Sequence, residues 1–565
     1  MKKRYITPFI FAALLTLSGC GSAGTSQSHS LSAESSETSV SESTSITEKS
    51  EPQSASSAST VEKSDLQNSD SASTAEEINT KGSASALGLS DLFSNKDIEI
   101  GYDEETSVRI TLSGNSAACS SDTVQIDGST VTIKNEGTYI ISGTLDNGMI
   151  IVNAEDTDKV RLVLNGVEIN NSTSAAIYAA SADKVFITTV SGTENTLTNG
   201  GEYVQIDDNN IDAVIYSKED LTLNGAGTLV INAAAGHGIV SKDDLVLTSG
   251  TYDVTAEKHG LFGKDSVRVS NGTVTIKSGK DGIQSENTDD DEKGYIYIAN
   301  GSFDITADGD GISAEAYLTI DGGEFSIVTG EGSASVTMRT DAMGFGQRGD
   351  FQNATAATET EDSVSRKGLK TDGVLTINGG SFTADTEDDS FHADGNILVS
   401  GGSFELKTGD DGVHSDSDVT IKNGNFNISY CYEGIEGQTI TVDNGDFNIN
   451  AYDDGFNAAG GADSSGFGGG RPGMDQFNSS SNCSITINGG TYVIVSDGDC
   501  IDSNGALTIN GGKFDLTCNG NGNTALDCDG TYSNNGGDIT TNDGSENNPG
   551  QMGGRMGVHG GFGRP

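Results

Sequence analysis

The sequence has no Trp, only 5 Pro in 565 residues, and 31 Lys and Arg against 83 Asp and Glu. The net charge of −52 excludes a nucleic-acid binder, because no basic stripe is available to replace the counterions of phosphate. Hydrophobic residues make up only 33%, so the chain is not built from large apolar helices. The 76 Gly, with many Asn and Asp, instead indicate short strands joined by many turns.

The first twenty residues have the layout of an export signal. Basic residues at positions 2–4 precede an apolar stretch, residues 5–17, that is too short to span a bilayer comfortably. The stretch ends in small residues before Cys20 and resembles a bacterial lipobox. This resemblance implies a lipoprotein signal peptide over residues 1–20 and a lipidated Cys20. The protein would then sit on the extracellular face of the bacterial cell membrane, attached only by its lipid. The alternative is an ordinary secretory signal with an incidental Cys.

Two segments are predicted to lack a fold. Residues 21–95 are rich in Ser, Thr, Ala and Glu and have almost no aromatic side chains, so they cannot bury enough apolar surface to offset the entropy of ordering. We predict a disordered linker that holds a folded domain away from the cell surface. The Gly-rich residues 546–565 are predicted as a flexible tail.

The domain between these segments, residues 96–545, is dominated by one repeat. An alternating apolar stretch is followed by Asn-Gly, Asp-Gly or Gly-Gly, an aromatic residue, a polar stretch and Asp-Gly. Five of the nine intervals are 22 residues, one is 21, and the others contain insertions at 287–293, 330–364 and 460–482. The apolar residues that start the repeats are Leu245, Val267, Ile296, Leu318, Leu375, Ile397, Val419, Ile440, Ile485 and Leu507.

A fixed period near 22 with strand-like alternation is typical of a solenoid. The chain lacks the pattern of leucine-rich repeats and the nine-residue period of calcium-binding nonapeptide repeats, which leaves an all-β parallel β-helix with about 22 residues per coil. Gly380, Gly402 and Gly424 are predicted to have positive φ at the corners. Irregular strands between residues 97 and 201 are predicted to form an N-terminal β cap and the first coils. Stacked coils predict an internal aromatic ladder of Phe303, Phe325, Phe382, Phe404, Phe426, Phe447, Tyr492 and Phe514.

Four phrases of the sequence resemble a carbohydrate-binding parallel β-helix family. They are residues 137–145 (GTYIISGTL), 160–167 (VRLVLNGV), 192–197 (GTENTL) and 366–380 (RKGLKTDGVLTINGG). A typical member is a clostridial surface protein that binds cellulose and polygalacturonate. The resemblance covers nearly all of the folded chain. It implies a right-handed β-helix, bound calcium and structural kinship to pectate lyases.

Alignment of the coils on Asp-Gly places acidic residues in columns. Successive carboxylates of a column lie about 5 Å apart, which is unfavourable unless a cation compensates. Carboxylate and backbone oxygens suit Ca²⁺ better than Zn²⁺. Alternatively, each Asp-Gly is only a turn. The predicted calcium ligands are Asp388, Asp389, Asp394, Asp410, Asp411 and Asp416, with Asp281, Asp310 and Asp454 in the same columns.

Two lysines interrupt the acidic columns. Lys367 and Lys370 have three interpretations: they neutralise neighbouring carboxylates, they bind a uronate carboxylate, or one supplies the general base of a β-eliminating lyase. Surrounding carboxylates raise the pKa of a Lys, which opposes the last of these roles. His392 and His414 are predicted as outward neighbours on adjacent coils. They are solvated members of the ladder or contact substrate, or less often hold a transition metal.

Further candidate residues are aromatic side chains and cysteines. Tyr430 and Tyr432 lie near the acidic column and are candidates to stack on sugar rings, or they only pack. Besides Cys20 there are six cysteines, which allow fifteen disulfide pairings, and the sequence cannot choose among them. Cys500 and Cys528 occupy adjacent coils and are the nearest candidate pair.

Together these features predict a monomeric cell-surface lipoprotein that binds polysaccharide with calcium as cofactor. The expected ligand is an acidic plant cell-wall polymer of the pectin type, such as polygalacturonate, or else cellulose. Calcium would bridge two anionic partners that otherwise repel. One alternative is a calcium-dependent enzyme similar to pectate lyases, with a Lys base. A second alternative is an adhesin or surface stalk without a sugar ligand.

Overall fold

A computed structural model describes residues 92–338 except 291, 365–459 and 482–549. The predicted signal peptide, the lipidation site Cys20, nearly all of the predicted linker and most of the C-terminal tail lie outside the described residues. Most of the insertions at 330–364 and 460–482 lies outside them too. No helix in the described part has the length and apolar character needed to span a bilayer.

The described chain is a parallel β-helix, as predicted. Each regular coil has three short strands, and each strand pairs in parallel with the equivalent strand of the next coil. We name the three resulting surfaces faces 1, 2 and 3, in the order in which the chain visits them. The strands on all three faces point alternate side chains into one apolar core.

The strands have the following bounds. Face 1 contains Lys184–Thr189, Asp220–Gly225, Asp244–Leu247, Ser266–Val269, Tyr295–Ile298, Tyr317–Ile320, Val374–Ile377, Ile397–Val399, Asp418–Ile421, Thr439–Val442, Ser484–Ile487, Ala506–Ile509 and Tyr532–Asn534. Face 2 contains Glu194–Asn199, Thr228–Ala233, Thr251–Ala256, Thr273–Ser278, Ser302–Ala307, Glu324–Thr329, Ser381–Thr386, Ser403–Thr408, Asn425–Cys431, Asp446–Ala451, Thr491–Ser496, Lys513–Cys518 and Asp538–Thr541. Face 3 contains Val124–Asp127, Thr130–Ile133, Met149–Asn153, Ile177–Ser181, Ala213–Ser217, His237–Ser241, Leu261–Gly263, Ile283–Ser285, Ile312–Ala314, Leu369–Thr371, Phe391–Ala393, Val413–Ser415, Ile435–Glu436, Phe456–Ala458 and Ile501–Ser503.

The remaining elements lie mainly at the N-terminal end. Faces 1 and 2 merge through Val108–Gly114, Ser116–Ala118, Gly137–Leu145 and Lys159–Asn171. Val108–Gly114 pairs antiparallel with Ser116–Ala118, and the first two strands of face 3 are also antiparallel. Helical elements within the described residues include one α-helical turn, Asn95–Ile98, and two 3₁₀ turns, Ser333–Ser335 and Ser545–Asn547.

The strand register confirms the repeat. All ten apolar residues predicted to start the repeats lie on face 1 and pair consecutively, from Leu245 with Val267 to Ile485 with Leu507. The predicted aromatic ladder is present, with ring centroids 4.4–5.4 Å apart and rings within 20° of parallel. Gly402 has a φ of +132°, and a Cβ there would lie 2.7 Å from the ring of Phe404, so only glycine fits this corner.

The segment just before the first coil packs along the outside of face 1. We refer to residues 92–99 as the strap. Leu92 and Phe93 are only 2% and 6% exposed, because they pack on the outward side chains of Tyr297 and Tyr317. The folded body therefore includes residues that composition assigned to the linker. The average composition of these 75 residues is polar, and it does not reveal that two apolar side chains at the end of the segment pack against aromatic residues.

Candidate functional site

The column of Asp-Gly residues runs along the edge at which the chain enters face 3. The carboxylate of one coil accepts a hydrogen bond from the backbone N–H of the equivalent residue on the next coil, so these side chains link successive coils instead of only closing their own turns. Five such bonds, with N to O distances of 2.5–3.1 Å, run from Asp310 to Asp281, Lys367 to Asp310, Asp411 to Asp389, Glu433 to Asp411 and Asp499 to Asp454.

Lys367 lies between two of the predicted calcium ligands. Its Nζ is 3.1 Å from Asp388 Oδ1 and 2.5 Å from Asp389 Oδ2. Burial opposes the protonated form, but these two carboxylates outweigh it and raise the pKa of Lys367 well above its ordinary value. This geometry favours the neutralising interpretation of Lys367, since a lysine held protonated is a poor general base.

The outward residues of face 3 form one row in strand register. The row has the predicted order Gln284, Ser313, Lys370, His392, His414, Glu436, Asn457 and Asp502. Lys370 is half-buried and has no carboxylate within 4 Å among the described residues. Its charge nevertheless acts on the carboxyl groups of Asp310, Glu315, Asp372 and Asp394 from a longer distance.

His392 and His414 stack in this row, with centroids 5.0 Å apart and an interplanar angle of 12°. Neither ring is solvated as we expected, because neighbouring carboxylates cover them. His392 lies 2.9 Å from Asp389 and 3.2 Å from Asp394. His414 is 0% exposed, and both of its ring nitrogens lie beside carboxylates, as described next.

Three carboxylates surround His414. Nδ1 lies 3.1 Å from Asp411 and 2.7 Å from Glu436, and Nε2 lies 3.2 Å from Asp416. Burial lowers the pKa of His414, but these carboxylates outweigh it and raise the pKa well above its ordinary value. Asp394 and Asp416, predicted as calcium ligands, are thus partners of imidazole rings.

Other predicted calcium ligands do converge. Oxygens of Asp388, Asp389 and Asp410 lie within 4.8 Å of one another, but Lys367 occupies the same neighbourhood. Sequence reasoning missed a second group, Asp499, Asp502 and Asp527, whose oxygens also lie within 4.8 Å of one another. These groups offer only the hard oxygen donors that Ca²⁺ prefers.

The missed group belongs to the same columns. Asp499 follows Asp454 in the Asp-Gly column. Asp502 and Asp527 are neighbours in the outward row, because Ile501 forms a bridge with Leu526. In the last coil the face 3 strand is only this single bridge. The sequence around Asp527 therefore does not match the repeat pattern. Burial and the charges of Asp502 and Asp527 raise the pKa of Asp499 to about 8, although a backbone donor opposes this.

The remaining candidates are two tyrosines and the cysteines. Tyr430 donates a hydrogen bond to the carbonyl of Val336 at 3.3 Å and packs edge-on against Tyr452. Tyr432 is half-buried, and its backbone N–H donates to the carbonyl of Asp410 at 2.7 Å. All six described cysteines are free thiols, so Cys500 and Cys528 form no disulfide: they are Cys119, Cys431, Cys483, Cys500, Cys518 and Cys528.

Comparisons with known proteins assign a family. The family described as "Carbohydrate-binding domain-containing protein" matches residues 127–412 and 410–550. A protein of that description from Acetivibrio thermocellus is 39% identical over 137 residues, which are 24% of this chain and 48% of that protein. The chain therefore spans about half the length of this relative.

One solved structure is similar in sequence. It is the polysaccharide lyase-like protein from C. thermocellum, a gadolinium derivative, at 36% identity. The match covers 40% of this chain and 92% of that one, with a TM-score of 0.39. Since the family match extends over most of the sequence, the chain belongs to the family of carbohydrate-binding domain-containing proteins.

Proposed function

We propose that this protein binds an acidic polysaccharide on the outer surface of face 3, with calcium held by the carboxylates there. Membership of a carbohydrate-binding family supports a polysaccharide as the ligand. The expected polymer is polygalacturonate or a related pectin, whose carboxylates match both calcium and Lys370. The proposed location is the extracellular side of the cell membrane, with attachment through lipid on Cys20.

The observation that carries the calcium proposal is the group of Asp499, Asp502 and Asp527. In the described part of the chain, no Lys, Arg or His lies within 4 Å of Asp499 or Asp527. Asp499 and Asp527 are half-buried, and partly desolvated carboxylates with no cation beside them tend to hold a proton or to bind a metal. The pKa of Asp499, raised to about 8, is consistent with uptake of a proton or a metal ion by this carboxyl group at neutral pH. Calcium bound there would add the positive charge that allows protein and polymer carboxylates to approach each other.

Glu433 provides a second indication. It is 4% exposed, and its Oε1 accepts a hydrogen bond from Asn457 at 3.0 Å. Its Oε2 is buried without a hydrogen-bond partner among the described residues. Burial and the neighbouring charges of Glu436 and Asp411 raise the pKa of Glu433 well above its ordinary value. The deficit of positive charge thus extends over several coils.

Retention on immobilised polygalacturonate, with calcium and with a chelator, tests the proposal. The double variant Asp502→Asn/Asp527→Asn should lose most of the calcium-dependent retention. The matched control, Asp304→Asn/Asp515→Asn, removes two exposed carboxylates of face 2 and should keep it. Retention that does not respond to calcium would contradict the calcium proposal. No retention on any of several polymers would favour the adhesin alternative.

A lyase is the second candidate, and it is favoured by one observation. Lys370 has no carboxylate within 4 Å in the described chain, whereas Lys367 is engaged by two. Lys370 is therefore the better candidate to remove the proton next to a uronate carboxylate. The same incubation tests this role through the ultraviolet absorbance of an unsaturated product. Retention without absorbance indicates a binder, and absorbance that disappears in Lys370→Ala indicates a lyase.

A further inference from the structure

Face 3 changes the sign of its charge along the helix axis. The residue that follows each face 3 strand is a lysine on three successive coils and an acid on the next five. In chain order the column reads Lys218, Lys242, Lys264, Glu286, Glu315, Asp372, Asp394 and Asp416. The inversion occurs between Lys264 and Glu286. The acidic half contains the site proposed above, and the basic half has no role there.

Histidines and further lysines accompany the three lysines. The Asp-Gly column begins with His237-Gly and His259-Gly, 22 residues apart and 22 before Asp281. The backbone N–H of each following Gly donates to the carbonyl of the next column member, which places both rings in the column. Their rings stack with centroids 4.9 Å apart. We define the basic patch as His237, His259, Lys218, Lys242, Lys258, Lys264 and Lys280.

Aromatic side chains lie beneath the basic patch. The outward row of face 3 continues here as Tyr216, Val240 and Phe262 in strand register. The Nζ of Lys242 lies 5.6 Å from the ring centroid of Tyr216 and 5.2 Å from that of Phe262. Phe262 is half-buried and so keeps part of its ring accessible. Cations beside an accessible ring suit an anionic ligand with an apolar surface of its own.

Few carboxylates contact the lysines and the imidazole rings of the basic patch. Lys258 is 3.9 Å from Asp212, and Lys264 is 3.1 Å from Asp289. His237 and His259 have carboxylates at 3.6 and 3.3 Å, from Asp212 and Asp281. The other three lysines, at 218, 242 and 280, have none within 4 Å in the described ranges.

Cations of the basic patch act on one another although the chain has a net charge of −52. Burial, the neighbouring His259 and three lysines of the patch lower the pKa of His237 to about 3. Burial and other lysines also lower the pKa of Lys242, although nearby acids oppose this. A ligand with negative charge would relieve this repulsion.

Polar atoms at the edge of the patch lack partners. Tyr203 Oη, Asp212 Oδ1 and His237 Nδ1 are buried and make no hydrogen bond to described residues. Tyr203 and Asp212 both lie against Gly236, where an added Cβ would be 2.7 Å from the ring of Tyr203 and 2.2 Å from the carbonyl of Asp212. A phenol, a carboxylate and a ring nitrogen are the kinds of groups that bind sugar hydroxyls.

We propose that the basic patch is a second saccharide site, which binds the carboxylates of a uronate polymer directly and without calcium. Lys218, Lys242 and Lys264 would pair with successive carboxylates, since stacked coils repeat them at about 4.8 Å. The accessible ring of Phe262 would lie against a sugar face. The inference rests on the proposed function only in its choice of polymer, because its contacts involve none of the acidic residues of the calcium site.

Calorimetry of the full chain with an oligogalacturonate in chelator tests this site. The triple variant Lys218→Gln/Lys242→Gln/Lys264→Gln should bind at least about tenfold more weakly than the natural chain. The control variant Lys277→Gln/Lys407→Gln/Lys513→Gln removes three exposed lysines of face 2 and should stay within about twofold. The corresponding triple change to Arg keeps the charges and should retain binding. A fully methyl-esterified oligomer should not bind, and added salt should weaken binding of the charged one.

The outcomes separate this inference from the proposed function. Binding in chelator that is lost only in the Lys-to-Gln triple variant of the patch supports the second site. Binding that requires calcium would overturn the second site and leave the proposed function intact. Equal losses in patch and control variants, or equal binding of the methyl ester, would also overturn it. Binding in chelator together with no effect of calcium or of Asp502→Asn/Asp527→Asn would instead overturn the calcium proposal alone.

Discussion

Lys367 decides the charge balance at the centre of face 3. It replaces an aspartate in the column, and its ammonium contacts Asp388 and Asp389, which are 15% and 0% exposed at the side chain. A buried carboxylate that loses its partner retains the cost of desolvation. The coil at Lys367 therefore stabilises the acidic coil that follows it.

Replacement of this lysine should be strongly destabilising. Lys367→Gln removes the positive charge while keeping most of the volume, and we expect a loss of about 3 kcal/mol in the free energy of unfolding. Urea-induced unfolding at neutral pH in chelator measures this loss. Lys407→Gln, an exposed lysine on face 2, is the control and should change stability by less than about 0.5 kcal/mol. Equal effects would show that Asp388 and Asp389 need no counterion.

Two histidines of this chain should have pKa values that are shifted in opposite directions. Carboxylates raise the pKa of His414 well above its ordinary value, whereas burial and neighbouring cations lower that of His237 to about 3. We expect His414 to be an imidazolium and His237 to be neutral at pH 7. The ¹⁵N shifts of labelled imidazoles measure both, with His414→Gln and His237→Gln for assignment. A neutral His414 at pH 7 would contradict the ion-pair geometry.

At the scale of elements, the strap is joined to face 1 by a buried ion pair. Asp97 lies 2.8 Å from Lys184 Nζ, with side chains 4% and 11% exposed. It also accepts a hydrogen bond from Thr222 at 2.6 Å. Although burial opposes ionisation, hydrogen bonds from Lys184, Thr222 and Ser94 lower the pKa of Asp97 to about 2.

The strap should therefore detach in acid and in a variant of Asp97. The folded pKa of Asp97 lies below its ordinary 3.8, so its contribution is complete above about pH 4 and is lost as the pH falls toward 2. Asp97→Ala leaves Lys184 without this partner and should cost about 3 kcal/mol at neutral pH. Urea unfolding and limited proteolysis near residue 92 measure the two effects. Glu168→Ala, an exposed strand position, should change neither, and equal cleavage of both variants would contradict a docked strap.

The sequence predicts elements well where the period is regular. Leu245 and Leu507 lie on one face because every coil between them has the same repeat. The insertions lengthen the connections between strands and do not change which face a strand joins. Prediction fails where the repeat is interrupted or where one residue type replaces another. His237 occupies the Asp-Gly column, but its side chain does not match the acidic pattern. Phe93 packs against Tyr297, a contact across the fold that no local sequence pattern contains.

The candidate site shows the same division. The period predicts that His392 and His414 are neighbours, because register follows from spacing. The period cannot predict that carboxylates of the same coils contact the two rings and bury them. The different surroundings of Lys367 and Lys370 likewise depend on where each side chain extends. The ammonium of Lys367 lies between two aspartates, whereas that of Lys370 has no carboxylate within 4 Å in the described chain.

At the scale of the whole molecule, the charge of −52 is distributed unevenly. Lysines and histidines occupy the N-terminal half of face 3, and Lys367 with two histidines compensates its centre. The coils beyond His414 have acids at Glu433 and Asp499 with no Lys or Arg within 4 Å in the described part. The end of the β-helix farthest from the first coil should thus depend most on pH and on calcium.

This dependence has a definite sign. The folded pKa of Asp499 is about 8 against an ordinary 3.8, and that of Glu433 is also raised. The folded chain keeps protons that the unfolded chain releases, so stability without calcium should fall as the pH rises from about 4 to 8. Calcium competes with these protons and stabilises the folded state more as they leave.

The increase in Tm caused by calcium should therefore be several degrees at pH 8 and much smaller at pH 5. Differential scanning calorimetry with calcium or chelator at both pH values measures the difference. Asp502→Asn/Asp527→Asn should abolish most of the increase at pH 8, while Asp304→Asn/Asp515→Asn should preserve it, because only the first pair faces Asp499. An increase of the same size at both pH values would mean that calcium binds to carboxylates that are already ionised at pH 5, away from these buried columns.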